Sequence, residues 1–235
     1  MGTIGIIGAM EQEIINIKYA MDGITSSRIA GVDFYAGTIN LTRVILAKCG
    51  VGKVNAAVAT QAMIGAYQVG CIINTGAAGA LSRDANIYDI VISDMLVMHD
   101  FDTAMLINIP GLPETTYTAD PRLVAIAQEA AAGLKNRGIG VHTGIIATGD
   151  RFIHKSADRT ALHAAHHALC VEMEGAAVAQ ACAMNNTPFV IIRAISDNAD
   201  EGAKITFETF IHNAVKNLCE VIVHMIASPR MISLF

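Results

Sequence analysis

The chain has 235 residues, of which 53% are hydrophobic and 16% are charged. This composition excludes a disordered chain and indicates a large buried core. The formal net charge is −5 and no run of Lys and Arg occurs, which argues against binding to nucleic acid. Apolar stretches stay well short of the roughly 18 residues that a membrane-spanning helix needs, so no membrane span is predicted.

The cysteines and histidines indicate neither disulfides nor a metal site. The five cysteines are odd in number, widely spread and never spaced as CxxC, which favours reduced thiols in a cytoplasmic protein. His163, His166 and His167 follow helical spacing, but in an Ala-rich segment this favours a solvated helix face over zinc. The apolar N-terminus lacks a basic region and is followed by Glu11 and Glu13, so it is predicted to be a strand rather than a signal peptide.

Short β-branched runs alternate with longer Ala-rich segments along the chain. The pattern predicts strands at residues 3–7, 32–38, 43–47, 70–74, 88–94, 140–147, 169–173 and 188–195. It predicts helices from about residue 10 and at 53–67, 121–136, 157–167, 174–184 and 206–226. Asp120 is the expected N-cap ahead of Pro121, and residues 99–119 form an expected surface loop. The unbroken alternation predicts one α/β domain over residues 1–235, with helices on both sides of a largely parallel sheet.

In such sheets ligands bind outside the carboxyl ends of the strands, so the residues that follow each strand are the functional candidates. Glu13 lies in the first turn of a helix after Gly8, where a carboxylate either complements the helix dipole or serves in catalysis. Gly50 and Gly52 precede the next helix but match no phosphate-binding motif, which favours a tight turn. The small residues 76–79 let a ligand approach the backbone or let a helix pack closely.

Two later strand ends place charges among apolar residues. Glu172 and Glu174 point to the same face of an apolar strand, where ligand hydroxyls or an Arg would satisfy them. Arg193 lies inside a strongly apolar strand and needs an anion, and Asp197 just past it suits a partly buried acid. A structural Arg–Glu pair is the alternative, and the residues alone leave both possibilities open.

Five blocks occur together in the order typical of a known family: GIIGAMEQE at 5–13, GVGK at 50–53, NTGAAG at 74–79, VEME at 171–174 and RAISD at 193–197. Because of these blocks, the chain resembles the bacterial 5′-methylthioadenosine/S-adenosylhomocysteine nucleosidases. The resemblance spans nearly the whole chain. The resemblance implies the nucleoside phosphorylase fold, a single three-layer α/β/α domain around a central mixed, largely parallel sheet. It also implies a homodimer that hydrolyses 5′-substituted adenine nucleosides to adenine and a thioribose, without metal or cofactor.

The resemblance assigns roles to residues that match the motifs. Glu13 would hold and activate the attacking water, Asp197 would share or donate the proton that reaches adenine N7, and Arg193 would arrange water and carboxylates. Glu174 would accept hydrogen bonds from the ribose hydroxyls, and Met173 would pack on the sugar. Phe152 would stack on adenine and the backbone of Ile153 would read the edge of the base. Val51 and Phe207 would line the apolar pocket for the 5′-thio group. The other implied substrate-binding positions are Ala9, Ala77, Ala78, Glu172 and Ser196.

These residue types suit cleavage of a glycosidic bond. Departure of adenine leaves a cationic sugar, which a nearby carboxylate stabilises, while an acid with a raised pKa protonates the base. A carboxylate at Glu13 repels phosphate, which favours water over phosphate as the nucleophile.

Three departures from the family pattern stand out: the first removes a hydroxyl from the hydrogen bonding of water or sugar, the second is consistent with a surface change, and the third bears on the preferred 5′ substituent. Ala77 stands where many members have Ser, Arg151 stands where a smaller residue is usual, and the loop 102–117 matches poorly and is shorter. In the family this loop crosses the dimer interface and helps close the partner's 5′ pocket. The alternatives are a hydrolase of the same fold acting on 5′-deoxyadenosine or futalosine, a purine nucleoside phosphorylase, or an adenine-nucleoside-binding protein without turnover.

Overall fold

The computed structural model describes residues 2–101, 115–200 and 202–234. The strands are β1 (Ile4–Gly8), β2 (Asp22–Ile29), β3 (Val32–Ile39), β4 (Thr42–Lys48), β5 (Cys71–Ala80), β6 (Ile90–Met98), β7 (Thr116–Thr118), β8 (Val141–Thr148), β9 (Cys170–Glu172) and β10 (Phe189–Asp197). The helices are α1 (Glu11–Tyr19), α2 (Lys53–Tyr67), α3 (Pro121–Ala131), α4 (Ser156–His166), α5 (Gly175–Met184), α6 (Ala203–Ala227) and α7 (Pro229–Ile232), with a 3₁₀ turn at Ala132–Arg137. Among the described residues no helix combines the length and apolar character that crossing a membrane requires.

These strands form one mixed sheet in the order β10-β6-β8-β9-β5-β1-β4-β3-β2, with β7 beside β6. β10 also pairs with β5, so β5, β10, β6, β8 and β9 close into a ring, and the remaining strands extend from it. Parallel and antiparallel pairings occur in equal number among the described strands, since β2, β3 and β4 are joined by hairpins. The predicted mixed sheet is thus confirmed, with more antiparallel pairing than the strand–helix alternation indicated.

Helices cover both faces of the sheet, which confirms the three-layer arrangement. Ile6 faces the layer of α1, α3 and α6, whereas Ile7 faces the layer of α2 and α5. β1, β5 and β10 are buried along their whole length, as expected for strands with helices on both faces. Because these three strands run parallel, their carboxyl ends lie at the same edge of the sheet, and the candidate residues lie at that edge.

Four strands differ from the sequence prediction, and one of them, β6, continues to Met98 instead of ending at residue 94. β2 was not predicted because its residues are almost all exposed at the edge of the sheet and show no apolar alternation. β5 continues to Ala80, although a strand was predicted only to residue 74, because its small residues from Gly76 onwards pair with β10 and the last two, Gly79 and Ala80, also pair with β9. The surface loop predicted at residues 99–119 is wrong at its end, because β7 pairs with β6 there and Tyr117 and Ala119 are buried. Of the loop predicted to lie at a dimer interface, residues 102–114 fall outside the described residues.

Candidate active site

A cleft lies at the carboxyl ends of β1, β5, β9 and β10. Arg193 lies behind its surface, and every other predicted site residue lines it: Ala9, Glu13, Val51, Ala77, Ala78, Phe152, Ile153, Glu172, Met173, Glu174, Ser196, Asp197 and Phe207. Met10, Gly79, Arg151 and Val171 complete the lining. Segments far apart in the sequence thus converge at the place where an α/β sheet binds its ligands.

Glu13 lies at the floor of this cleft and is 4% exposed. α1 begins two residues earlier, so its carboxylate turns back and accepts hydrogen bonds from the N–H groups of Ala9 (2.8 Å) and Met10 (3.0 Å). A third bond comes from the N–H of Ala77 on β5, at 2.9 Å. Burial raises the pKa of Glu13, and Arg193 and the backbone N–H groups offset only part of that effect.

Arg193 is fully buried on β10 and forms an ion pair with Glu172 on β9. Its Nη2 also donates to Oδ1 of Asn74 at 2.7 Å. The Glu172 carboxylate accepts further hydrogen bonds from the Thr148 hydroxyl and from the N–H groups of Glu174 (3.0 Å) and Gly175 (2.7 Å). A buried carboxylate with this many partners is satisfied within the protein, so the structural Arg–Glu pair considered from the sequence is present.

Glu174 differs from its neighbour Glu172 in having free acceptor capacity. Its Oε1 accepts a hydrogen bond from the N–H of Gly52 at 2.9 Å, and its Oε2 lies 3.6 Å from Nη2 of Arg193. Burial is the main cause that raises the pKa of Glu174, and Arg193 lowers it. The nearby carboxylates of Glu172 and Glu13 also raise it, and the net pKa is about 8. This side chain can therefore change its charge near neutral pH.

Asp197 ends β10 and is 2% exposed. Its Oδ2 accepts a hydrogen bond from the Ser196 hydroxyl at 2.9 Å, and its Oδ1 accepts one from the N–H of Ala199 at 2.8 Å. Burial raises the pKa of Asp197, and these two hydrogen bonds offset that only in part. A carboxyl group in this setting can hold a proton and deliver it.

The rim of the cleft is apolar. Phe152 and Phe207 meet edge to face, with ring centroids 6.4 Å apart and an interplanar angle of 84°. Phe152 is 45% exposed, whereas Ile153 beside it is buried. Half-exposed aromatic rings offer a flat ligand a stacking surface.

Three residues without a predicted role hold the charged groups of the site in place. Asn74 binds Arg193, Thr148 binds Glu172, and Gly52 binds Glu174. Thr148 ends β8 and Gly52 directly precedes α2, which are local signals that could have indicated them, whereas Asn74 lies inside β5, where the sequence carries no such signal.

Comparison with known proteins agrees with this geometry. A profile of the Phosphorylase superfamily matches residues 3–227. The 5′-methylthioadenosine/S-adenosylhomocysteine nucleosidase of Oceanobacillus iheyensis is 40% identical over 230 residues, which cover 95% of this chain and 98% of that protein. The chain belongs to this nucleosidase family. The resemblance inferred from the sequence blocks is thereby confirmed.

Solved structures of relatives match over almost the whole chain. The Neisseria meningitidis 5′-methylthioadenosine/S-adenosylhomocysteine nucleosidase, in complex with methylthio-immucillin-A, has a TM-score of 0.90 and 38% identity, and the match covers 96% of this chain and 98% of that one. The futalosine hydrolase of Helicobacter pylori has a TM-score of 0.88 and 32% identity, with 96% and 97% covered. The fold class predicted from the sequence is confirmed, and both enzymes share it.

Proposed function

We propose that the chain hydrolyses the N-glycosidic bond of 5′-methylthioadenosine and S-adenosylhomocysteine, releasing adenine and the thioribose product. The observation that carries the proposal is that Glu13, Glu174 and Asp197, three buried carboxyl groups with raised pKa values, line one cleft. Groups of this kind in a cleft are typical of acid–base chemistry. Membership of the nucleosidase family supports the same reaction.

Asp197 is the proposed acid. As the bond between C1′ and N9 breaks, its electron pair passes to the purine, and a proton from Asp197 reaches N7, so that adenine leaves as a neutral molecule. The raised pKa of Asp197 supports this role, because the carboxyl group must carry a proton at working pH. Ser196 and the N–H of Ala199 hold the carboxyl group in place.

Glu13 is the proposed holder of the attacking water. A carboxylate has about four acceptor positions, and three backbone N–H groups occupy three of them. The remaining position on Oε1 can accept a hydrogen bond from water, whose oxygen attacks C1′ while its proton passes to Glu13. Within the described residues, Nε and Nη1 of buried Arg193 have no hydrogen-bond partner, which supports its role in arranging that water.

The other lining residues suit the parts of a 5′-thio-adenine nucleoside. Oε2 of Glu174 is available to ribose hydroxyls because the N–H of Gly52 occupies Oε1, and the ionised form of Glu174 stabilises the cationic sugar. Phe152 offers a stacking surface for adenine, and Met173 offers an apolar surface for the sugar. Val51 and Phe207 are proposed to contact the 5′-thio group, and the small side chains of Ala9, Ala77 and Ala78 leave space for the ligand.

The alternative is hydrolysis of another 5′-modified nucleoside, such as futalosine or 5′-deoxyadenosine. The likeness to the Helicobacter pylori futalosine hydrolase keeps this alternative open. A phosphorylase is disfavoured because the buried carboxylate of Glu13 would repel phosphate at the nucleophile's position.

The test measures release of adenine from 5′-methylthioadenosine, S-adenosylhomocysteine and 5′-deoxyadenosine, and release of hypoxanthine from futalosine. Each reaction is run with and without phosphate. Fastest release from the two thio-nucleosides, independent of phosphate, is expected. Release that requires phosphate would overturn the hydrolytic mechanism, and preference for futalosine or 5′-deoxyadenosine would reassign the substrate. Binding without any release would leave an adenine-nucleoside-binding protein.

We further propose a homodimer with the loop 102–117 at its interface. Val54 and Val58, four residues apart on α2 and 75% and 40% exposed, support an apolar contact surface near the cleft. Sedimentation velocity should give a dimer, and Val54→Asp should shift it towards monomer. Monomeric wild-type protein would contradict this.

The five free cysteines support a reducing, cytoplasmic location.

A further inference from the structure

Lys53, Asp100 and Asp150 form a charged cluster behind the rim of the cleft. The Nζ of Lys53, the first residue of α2, lies 2.6 Å from Oδ1 of Asp100 and 3.8 Å from Oδ2 of Asp150. The N–H of Asp150 donates to Oδ2 of Asp100 at 2.7 Å, and the N–H of Lys53 donates to Oδ1 of Asp150 at 2.8 Å. Each member therefore contacts both of the others, so the cluster closes on itself.

The cluster joins the two sides of the cleft. On one side it holds the start of α2, directly after Gly52, whose N–H donates to Glu174. On the other side Asp150 precedes Phe152 and Ile153 by two and three residues. The side chain of Asp150 also lies so near Gly52 that a Cβ there would be 3.1 Å from its Oδ1. A shift of Asp150 relative to α2 would therefore move the aromatic rim relative to Glu174.

We propose that Lys53, Asp100 and Asp150 are positioning residues, which set the spacing between the base-binding rim at Phe152 and Ile153 and the sugar-binding carboxylate of Glu174. The proposal rests on the proposed function, in which one nucleoside contacts both sides at once. None of the three residues lines the cleft, so they act through Gly52 and through the chain that leads to Phe152.

Burial distinguishes the Lys53–Asp100 pair of this cluster from ordinary surface ion pairs, whereas the side chain of Asp150 is 48% exposed. The side chains of Lys53 and Asp100 are each 19% exposed, whereas those of Arg137 and Glu220, a pair 2.8 Å apart elsewhere, are 49% and 39% exposed. Burial raises the pKa of Asp100, but the hydrogen bonds from Lys53 and from the Asp150 N–H outweigh it and hold the value below the ordinary range. A half-buried, multiply bonded carboxylate fixes geometry better than an exposed pair does.

The test uses Lys53→Met, which removes the charge and retains a side chain of similar length, with Asp100→Asn as a second variant. In the proposed function adenine contacts the rim and Asp197 but not Glu174, so its Kd should change by less than twofold. A 5′-thio-nucleoside must contact both sides, so its kcat/KM should fall by about tenfold or more, as expected for small misplacement of reacting groups. Lys53→Arg should restore most of the loss, and Arg137→Met is the matched control with no effect.

The pH profile gives an independent readout. Glu174 is faced by Arg193 on β10, Glu172 on β9, Glu13 on α1 and the Cys49 thiol after β4, and the N–H of Gly52 lowers its pKa. Weakening of that hydrogen bond raises the pKa of Glu174, so the acidic limb of kcat/KM should move to higher pH in Lys53→Met. If the cluster only stabilised the fold, Lys53→Met would lower the Tm and leave this limb in place.

Two results would overturn the proposal. One is equal weakening of adenine and nucleoside binding in both variants, and the other is an unchanged kcat/KM and pH limb in both. If the wild-type protein cleaved no nucleoside, the proposed function would fail. Calorimetric titration with adenine and with an uncleaved nucleoside would then still test the cluster. It measures whether the variants lose affinity for the nucleoside, which contacts both sides, while they keep their affinity for adenine.

Discussion

The backbone N–H of Ala77 donates a hydrogen bond of 2.9 Å to Oε1 of Glu13, across 64 residues of sequence. This bond joins α1 to β5 and fixes the carboxylate at the floor of the cleft. Because the donor is backbone, it does not depend on the side chain at position 77. Ala in place of the Ser that is frequent in the family therefore leaves Glu13 anchored.

Glu13→Gln should abolish most turnover while nucleoside binding remains. The amide has no anionic acceptor for water, and its NH₂ group would face backbone N–H donors. We expect kcat to fall by about 10²–10⁴-fold, the usual size of an acid–base step. Adenine release measures kcat, and calorimetry measures binding. Glu11→Gln is the matched control, since Glu11 lies in the same helical turn but pairs with Lys48 at the surface. Full hydrolysis by Glu13→Gln would assign the water to another residue.

Asp197→Asn should lower kcat by a similar factor, about 10²–10⁴-fold, because Asn cannot donate the proton that adenine N7 requires. The loss should shrink with a riboside whose leaving group is a stabilised anion, such as p-nitrophenolate, because that group departs without protonation. Asp33→Asn on β3, an aspartate that pairs with Arg28 at the exposed edge of the sheet, is the control. An equal loss on both kinds of substrate would remove Asp197 as the acid.

Glu174→Gln should stabilise the protein at alkaline pH. Burial raises the pKa of Glu174 from 4.5 in the unfolded chain to about 8 in the folded protein, so its ionisation opposes folding. Stability is thus lost as pH rises from about 4.5 towards 8, and Gln cannot ionise. The Tm of the variant should exceed that of the wild type at pH 8 and match it near pH 4.5. Glu208→Gln on the exposed surface of α6 is the control. A Tm difference that did not vary with pH would contradict the assignment.

Gly76→Ala should damage the site, because a Cβ at Gly76 would overlap Nη1 of Arg193 and Oε1 of Glu13. One of these side chains must move, so we expect a loss of about 1–3 kcal/mol of stability and a large fall in kcat/KM. Gly65→Ala in α2 is the matched control, since nothing lies within 4 Å of its added Cβ. It should stabilise the helix by up to about 1 kcal/mol. Denaturant unfolding and adenine release compare the two, and wild-type behaviour of Gly76→Ala would contradict this packing.

Local sequence signals predicted most elements well. The spacing of apolar residues gave α2 the bounds that the structure has, and Asp120 caps α3 by accepting hydrogen bonds from the N–H groups of Arg122 and Leu123, as predicted. β2 escaped prediction because an exposed edge strand needs no apolar alternation. β5 runs past its predicted end because burial between two strands outweighs the weak strand propensity of Gly and Ala.

The sequence by itself determined most of the strands and helices and, through the family motifs, which residues line the cleft. Only the tertiary structure decided their partners. Glu172 and Glu174 are two residues apart with the same side chain, yet one is satisfied by Arg193 and Thr148 and the other keeps an acceptor free. Local sequence does not encode this difference, because the Gly52 N–H that binds Glu174 comes from 122 residues away. Long-range contacts set burial and charge, and these set the pKa on which the proposed chemistry depends.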